Sequence, residues 1–140
     1  MGKILAVDLG KKRIGLAISN SDKTIAFPLK KVPAGRTAEA SAETILKEIE
    51  LLGPIDVIVL GLPIHLSGHE SEMSKYVRLF KECLAAKTSI PIQFIDERLT
   101  SKGAEADLRL TGKSRRHTKE EVDAVSAHFI LQIYLDRNSI

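Results

Sequence analysis

Two apolar runs near the start of the chain, Lys3–Asp8 and Arg13–Ser19, are separated only by the short segment Leu9–Lys12. A third run, Ile25–Val32, follows after another short connection. Connections this short join antiparallel strands, because a parallel crossover needs about a dozen residues or more. This part of the chain therefore predicts a three-stranded antiparallel meander. Pro28 places the third strand at a sheet edge or beside a bulge.

The remaining sequence alternates between helical and strand patterns. A helical stripe from Ala38 to Leu52 ends at Gly53 and Pro54, and the β-branched run Ile55–Leu60 is typical of a central parallel strand. The next predicted elements are a helix carrying Met73, Val77, Phe80 and Leu84, a strand at Ile90–Ile95 and a helix at about Ser101–Leu110. Thr118 opens the last predicted helix in a capping box with Glu121. The apolar stripe of that helix is Val122, Val125, Phe129, Ile130 and Ile133.

This order of elements predicts an α/β fold. We expect one domain, residues 1–140, with a five-stranded mixed sheet in which two parallel strands extend the meander and helices cover both faces. The apolar content of 44% is enough for one solid core. The chain has a single cysteine, Cys83, in an apolar helical pattern, which favours a core thiol in a reducing compartment. No apolar run reaches the roughly 20 residues of a membrane span, and the first residues lack the pattern of a signal peptide. We therefore expect a cytoplasmic protein with no membrane association.

Three acids stand where these elements begin or end. Asp8 ends the first strand, Glu97 follows the fifth, and Asp123 lies early in the last helix. Ligand sites in such sheets gather at the carboxyl ends of the parallel strands, so the topology places the first two at one rim. Clustered carboxylates are ligands for hard divalent cations. The competing interpretations are structural: Asp8 in a polar turn, Asp96 or Glu97 paired with Arg98, and Asp123 at the helix dipole.

The charge of the chain is unevenly distributed. The formal net charge is +3 and the isoelectric point is about 9.0. The segment Leu108–Lys119 holds five cations and no acid, which suits it to phosphates, and its Gly112 and Ser114 predict a mobile loop. The loop after the fourth strand, Gly61–Ser71, carries His65 and His69, for which a phosphate or base contact or a solvated loop is favoured over a zinc pair.

Four segments of this chain in sequence order resemble one known family. They are VDLGKKRIGLAIS, VLGLP with a later Gly68, DERLTS, and the final K-x-x-V-D-A-V-S-A that begins at Lys119. The resemblance covers essentially the whole chain and is to the YqgF family, bacterial proteins described as Holliday junction resolvases and as pre-16S rRNA nucleases. The chain departs from the family pattern at His65, where Asn is usual, and at Ser67, where Asp is common.

The resemblance implies a ribonuclease H-like fold and metal-dependent hydrolysis of phosphodiester bonds. It assigns catalysis and metal binding to Asp8, Glu97 and Asp123, which would hold two Mg²⁺ or Mn²⁺ ions about 4 Å apart for in-line displacement. The nucleic-acid contacts that we predict beside this site are Lys11, Lys12, Arg13, His65, Arg98, Lys113, Arg115, Arg116 and Lys119.

Substrate and assembly are less constrained by the residues. The family favours maturation of precursor rRNA, with ribosomal particles among the partners, and branched DNA is the alternative. Either a monomer or a homodimer is compatible with the sequence. One rival function is that of half of an actin-like ATPase or sugar kinase, and the lack of a second domain argues against it. The other rival is a non-catalytic nucleic-acid-binding module.

Overall fold

The computed structural model describes residues 2–10, 12–62, 72–96 and 119–138, excluding the side chains of Asp96, of residues 119–126 and of Asn138. The strands are β1 (Lys3–Leu9), β2 (Arg13–Ser19), β3 (Ala26–Pro33), β4 (Ile55–Leu62) and β5 (Ile92–Asp96). The helices are α1 (Ala38–Leu52), α2 (Glu72–Ala85) and α3 (Lys119–Asn138). The helix predicted at about Ser101–Leu110 and the capping residue Thr118 lie outside the described residues.

The strands form one mixed sheet in the order β3-β2-β1-β4-β5. Strand β1 pairs antiparallel with β2 and parallel with β4, and β5 joins β4 in parallel. The predicted meander and the two added parallel strands are therefore confirmed. Pro28 was expected at a sheet edge or beside a bulge, and both are observed. Strand β3 is an edge strand, and the register between β2 and β3 shifts where Ala17 pairs with Pro28.

Side chains alternate between two cores on opposite faces of the sheet. In β1, Leu5, Val7 and Leu9 belong to the core beneath α1 and α2, whereas Ile4 and Ala6 belong to the core beneath α3. Both cores are built mainly from aliphatic residues, with Phe80 in the core beneath α1 and α2 and Tyr134 in the core beneath α3. The expectation of helices on both faces is confirmed. Among the described residues, no helix is long and apolar enough to cross a membrane.

Local signals fix the ends of α1. The Thr37 hydroxyl accepts a hydrogen bond from the Ala40 amide at 3.1 Å and caps the first turn. Gly53 ends the helix with a φ of 88° and donates its amide hydrogen to the Ile49 carbonyl at 3.2 Å. A positive φ of this size favours glycine, which explains why the helix stops where the sequence predicts.

The buried face of α3 differs in part from the predicted stripe. Its buried residues are Ala127, Ile130, Leu131, Tyr134 and Leu135. The prediction of Ile130 is confirmed, but Phe129 and Ile133 are only half-buried. The true stripe follows the spacing i, i+3, i+4, i+7, i+8 from Ala127, and it includes Ala and Tyr, which an aliphatic pattern overlooks. The side chains of Val122 and Val125 lie outside the described part.

Candidate active site at the carboxyl edge of the parallel strands

The carboxyl ends of β1, β4 and β5 lie together at one edge of the sheet. Val7 of β1 is in register with Leu60 of β4, and Gly61 and Leu62 of β4 are in register with Ile95 and Asp96 of β5. Two of the predicted site segments, the end of β1 and the end of β5, therefore reach the same edge, separated by the single strand β4. This is the edge at which α/β sheets bind their ligands.

Asp8 lies on the α3 face of the sheet at this edge. Strand β1 continues to Leu9, so Asp8 is the penultimate residue of the strand rather than its end. It alternates with Val7 and Leu9, which face the other core, and it follows Ile4 and Ala6 on the face that α3 covers. Asp8 is only half-buried and interacts with other groups of the protein. A half-buried carboxylate at a strand end can still present its oxygens to a ligand.

Two buried glycines flank Asp8 across the sheet. Gly15 of β2 is directly opposite Asp8, and Gly61 of β4 follows Leu60 just as Asp8 follows Val7 in the parallel register. Neither glycine brings a side chain onto the α3 face, so the Asp8 carboxylate has no side chain beside it from the paired positions of β2 and β4. This role of the two glycines was not predicted from the sequence. The signal was available in Gly15, because a glycine inside a strand often marks a close approach.

The turn after β1 is held tight by the chain itself. Gly10 donates its amide hydrogen to the Arg13 carbonyl at 2.8 Å, and a Cβ at Gly10 would lie 2.6 Å from that oxygen. The chain therefore turns tightly at Gly10, and the amide hydrogen of Gly10 is used within the turn.

The predicted basic residues are only partly placed. Lys12 is exposed and Arg13 is half-buried, and both lie at the same edge as Asp8. Lys119 opens α3, although its side chain is outside the described part. Six of the predicted contacts lie outside the described residues, namely Lys11, His65, Arg98, Lys113, Arg115 and Arg116.

The structure describes less of the other two predicted acids, Glu97 and Asp123, than of Asp8. Asp96 ends β5 and is in register with Leu62, whereas Glu97, the next residue, lies outside the described range. Asp123 lies in the first part of α3, and its side chain is not described. Within the described ranges, no group of three or more His, Cys, Asp or Glu side chains is arranged to hold a metal ion. The donor set predicted from sequence consists only of carboxylates, which suits Mg²⁺ or Mn²⁺ better than softer metals.

A mixed five-stranded sheet with this strand order, covered by helices on both faces, is the ribonuclease H-like fold of the Holliday junction resolvases. RuvC of T. thermophilus, solved with a Holliday junction substrate, has a TM-score of 0.57 at 12% identity, covering 99% of this chain and 97% of RuvC. The fowlpox virus resolvase, solved with Holliday junction DNA, has a TM-score of 0.55 at 16% identity, covering 96% of this chain and 97% of the viral protein. At these identities the likeness shows the fold alone.

Sequence comparison identifies the family. The sequence model of the family RuvX, described as Holliday junction resolvase, matches residues 2–137. A protein of Porphyromonas gingivalis named "Putative pre-16S rRNA nuclease" is 42% identical, covering 97% of each chain. One of the same name from Protochlamydia amoebophila is 40% identical, covering 96% of this chain and 93% of the relative. This chain belongs to the RuvX family, which is the family that its sequence motifs resemble under the name YqgF.

Proposed function

We propose that this protein is a metal-dependent endonuclease that hydrolyses phosphodiester bonds in structured nucleic acid and matures the 5′ end of pre-16S rRNA. The structural observation that carries the proposal is the placement of Asp8 on the α3 face, at the carboxyl edge, between two positions without side chains. The family and the names of relatives that match nearly the whole chain support a nuclease.

Strand alternation supports Glu97 as the second acid. Ile95 belongs to the core beneath α3, and Phe94 packs against the core on the opposite face. Continued alternation would return residue 97 to the face of Ile95, which is also the face of Asp8. Asp96 would then belong to the opposite face. The burial of Ile95 thus supports Glu97 over Asp96 as the acid that faces the metal.

A contact between α3 and the sheet supports Asp123 as the third acid. The Gln132 side chain accepts a hydrogen bond from the Ala26 amide at 3.4 Å, and Ala26 is paired with Ser19 at the far end of β2. The Ser19 hydroxyl in turn accepts from the Ile4 amide at 2.8 Å, so Gln132 is level with the start of β1.

Asp123 and Asp8 lie at about the same distance from the level that Gln132 shares with the start of β1. Asp123 precedes Gln132 by about 13 Å of helix, at 1.5 Å per residue. Asp8 follows Ile4 by about 13 Å of strand, at 3.3 Å per residue. A helix running antiparallel to β1 would bring Asp123 level with Asp8 on the same face.

A bound Mg²⁺ or Mn²⁺ would supply an activated water and stabilise negative charge on the departing oxygen. The chain itself would hold the ion through Asp8, Glu97 and Asp123, whose mutual repulsion the ion offsets. Lys12 and Arg13, at the same edge, would position flanking phosphates without reading sequence. We place this activity in the cytoplasm, in one domain spanning 1–140 that acts as a monomer or homodimer, with precursor ribosomal particles as partners.

Branched DNA is a second candidate substrate, because the family description is that of a Holliday junction resolvase. Purified protein should be incubated with a precursor 16S rRNA fragment and with a four-way DNA junction, each with Mg²⁺, with Mn²⁺ and with chelator. We expect site-specific cleavage of the RNA, dependent on the metal. Cleavage of the junction alone would favour resolvase activity, and cleavage of neither substrate would leave a binding module as the better interpretation.

The control for this experiment is Asp8→Asn, which keeps the size of the side chain and removes its charge. We expect cleavage to fall to the chelator background while the melting temperature stays close to that of the wild type. An active Asp8→Asn protein would contradict the proposed metal site. An unfolded one would point to a structural role for Asp8.

A further inference from the structure

A cleft of about 200 Å³ opens at the same edge of the sheet, on the side of α1 and α2. The described residues that line it are Gly35, Arg36, Glu72, Met73 and Tyr76. Its walls therefore combine an aromatic ring, a thioether and a guanidinium group. Sites for drug-sized ligands measure roughly 300–1,000 Å³, so this cleft suits a smaller group.

A hydrogen-bonded chain fixes the orientation of the Tyr76 ring. The fully buried Ser41 hydroxyl accepts from the Gly35 amide at 2.9 Å and lies 3.1 Å from the Tyr76 hydroxyl. The backbone at Gly35 is also close, because a Cβ there would lie 2.6 Å from the Ala40 Cβ. The ring of Tyr76, which lines the cleft, is thus held in place before any ligand binds.

Arg36 provides a cation that the fold does not use. It is exposed, and it makes no ion pair or hydrogen bond with any part of the chain that the structure describes. Other cations are paired, for example Lys30 with Glu48 at 2.7 Å. The acid of the cleft, Glu72, has a side chain that is 90% exposed and lies 3.9 Å from Lys75, so it sits at the rim with a partner of its own.

The cleft adjoins the turn that follows Asp8. Ala34, the neighbour of Gly35, donates its amide hydrogen to the Lys12 carbonyl at 2.9 Å. Strand β3, which leads into the cleft, is separated from β1 by β2 alone. Two strand spacings amount to about 10 Å within the plane of the sheet. The cleft lies on the opposite face from Asp8, so a strand of nucleic acid bound at both would pass over this edge of the sheet.

We propose that this cleft binds one unpaired base of the nucleic-acid substrate, stacked on Tyr76 and Met73, with the adjoining phosphate held by Arg36. The inference rests on the proposed nuclease function, because that function brings a phosphodiester chain to this edge. Aromatic rings accept any base by stacking, and a neighbouring cation holds its backbone. The cleft would fix the position of an unpaired segment relative to Asp8 and so favour cleavage beside a single-stranded region.

The test measures binding in chelator, where cleavage cannot occur. The probes are a short single-stranded RNA and the matching DNA, each containing one 2-aminopurine whose fluorescence falls on stacking. We expect quenching by the wild type, and by Tyr76→Phe, which keeps the ring. Tyr76→Ala should lose the quenching and bind about tenfold more weakly. Arg36→Gln should weaken binding and reduce the salt dependence by roughly one phosphate contact.

Arg137→Gln is the matched control, because Arg137 is an exposed cation in the last turn of α3. It should bind as the wild type does. Melting temperatures of all variants identify any loss of binding through unfolding, and the exposed Arg36 gives a test that does not disturb the core. Equal quenching of RNA and DNA supports a pocket for the base alone. Quenching of only one supports the pocket and identifies the sugar that it accepts.

The proposal is overturned if the wild type causes no quenching, or if Tyr76→Ala and Arg36→Gln bind and quench as it does. Cleavage assays with Mg²⁺ or Mn²⁺ separate this failure from that of the proposed function. If the wild type cleaves and both variants cleave equally well, the substrate does not use the cleft, and the proposed nuclease function is still supported. If quenching depends on Tyr76 but the wild type does not cleave, base binding in the cleft is supported and the nuclease function is contradicted.

Discussion

Asp8 of β1 and Gly15 of β2 are directly opposite each other in the antiparallel ladder. Paired positions have Cβ atoms about 4.5–5.5 Å apart, so any side chain at position 15 would stand against the Asp8 carboxylate on the α3 face. We predict that Gly15→Val lowers cleavage about a hundredfold, the effect of a misplacement of roughly 1 Å at a reacting centre. Steady-state rates with saturating metal would measure it.

A matched control for this substitution is Ala17→Val, two residues further along β2 on the same face and in the core beneath α3. It adds volume to the same face away from Asp8, so its effect should fall on stability, by about 1–3 kcal/mol. If Gly15→Val retained full activity, the position of Asp8 would not depend on the absence of a side chain at residue 15.

Gly10 and Gly53 are predicted to matter for different reasons. At Gly10 a Cβ would meet the Arg13 carbonyl, whereas at Gly53 nothing lies within 4 Å but φ is +88°. Gly10→Ala should cost about 1–3 kcal/mol of stability by crowding and should also reduce cleavage, since the turn positions Asp8. Gly53→Ala should cost about 1–3 kcal/mol through its backbone conformation and leave the activity of the folded protein unchanged. Urea unfolding and rate measurements on both variants would test this, and a silent Gly10→Ala would contradict the steric argument.

For the acid after β5, we predict that Glu97→Gln abolishes cleavage at saturating Mn²⁺ and that Asp96→Ala does not. The reason is the alternation that places Ile95 on the face of Asp8 and that, if continued, would place residue 97 on that face as well. Activity should be compared together with Mn²⁺ affinity. Full activity in Glu97→Gln with loss in Asp96→Ala would reverse the assignment.

Lys23 and Asp56 predict a dependence of stability on acid pH. The Lys23 ammonium donates to the Asp56 carboxylate at 2.6 Å, and this hydrogen bond, with further help from the Gly2 amide, lowers the pKa of Asp56 below its ordinary value of 3.8. Because the pKa of Asp56 is lowered in the folded state, the ion pair contributes fully to the stability of the protein above about pH 4–5. This contribution is lost as the pH falls through the folded pKa.

The melting temperature of Asp56→Asn should therefore lie below that of the wild type near neutral pH, and the two should converge as the pH falls below about 4. Lys23→Asn is the companion variant, since Lys23 has a φ of 60° and Asn tolerates that conformation. A gap that stayed constant down to pH 2 would show that the ion pair is not its source.

Arg115 and Arg116 remain the predicted phosphate contacts of the basic segment before α3. Changing both to Ala should weaken binding to all sequences about equally and flatten the salt dependence by roughly two phosphate contacts. Titrations in chelator at several salt concentrations would measure the slope. An unchanged affinity and slope would show that substrate enters from another side.

Most of the fold could be predicted from sequence because its signals are local. Short connections imposed the meander, β-branched residues marked β4, and Gly53 ended α1 within the residue range expected. The buried face of α3 was predicted less well, because Ala127 and Tyr134 become buried only through the sheet that receives them. Their residue types do not distinguish that face from its neighbours.

The sequence by itself determined the order of elements, the acids and the family, since these depend on residue identity and spacing along the chain. Only the tertiary structure decided which groups become neighbours: Gly15 beside Asp8, Ile95 on the same face, and Arg36 with Tyr76 around one cleft. Ile95 is distant in sequence from Asp8, and Tyr76 from Arg36, whereas Gly15 is near Asp8 in sequence but meets it only through the register of β1 and β2. Strand register and the packing of helices on each face bring them together, and register is set by the burial of both faces at once.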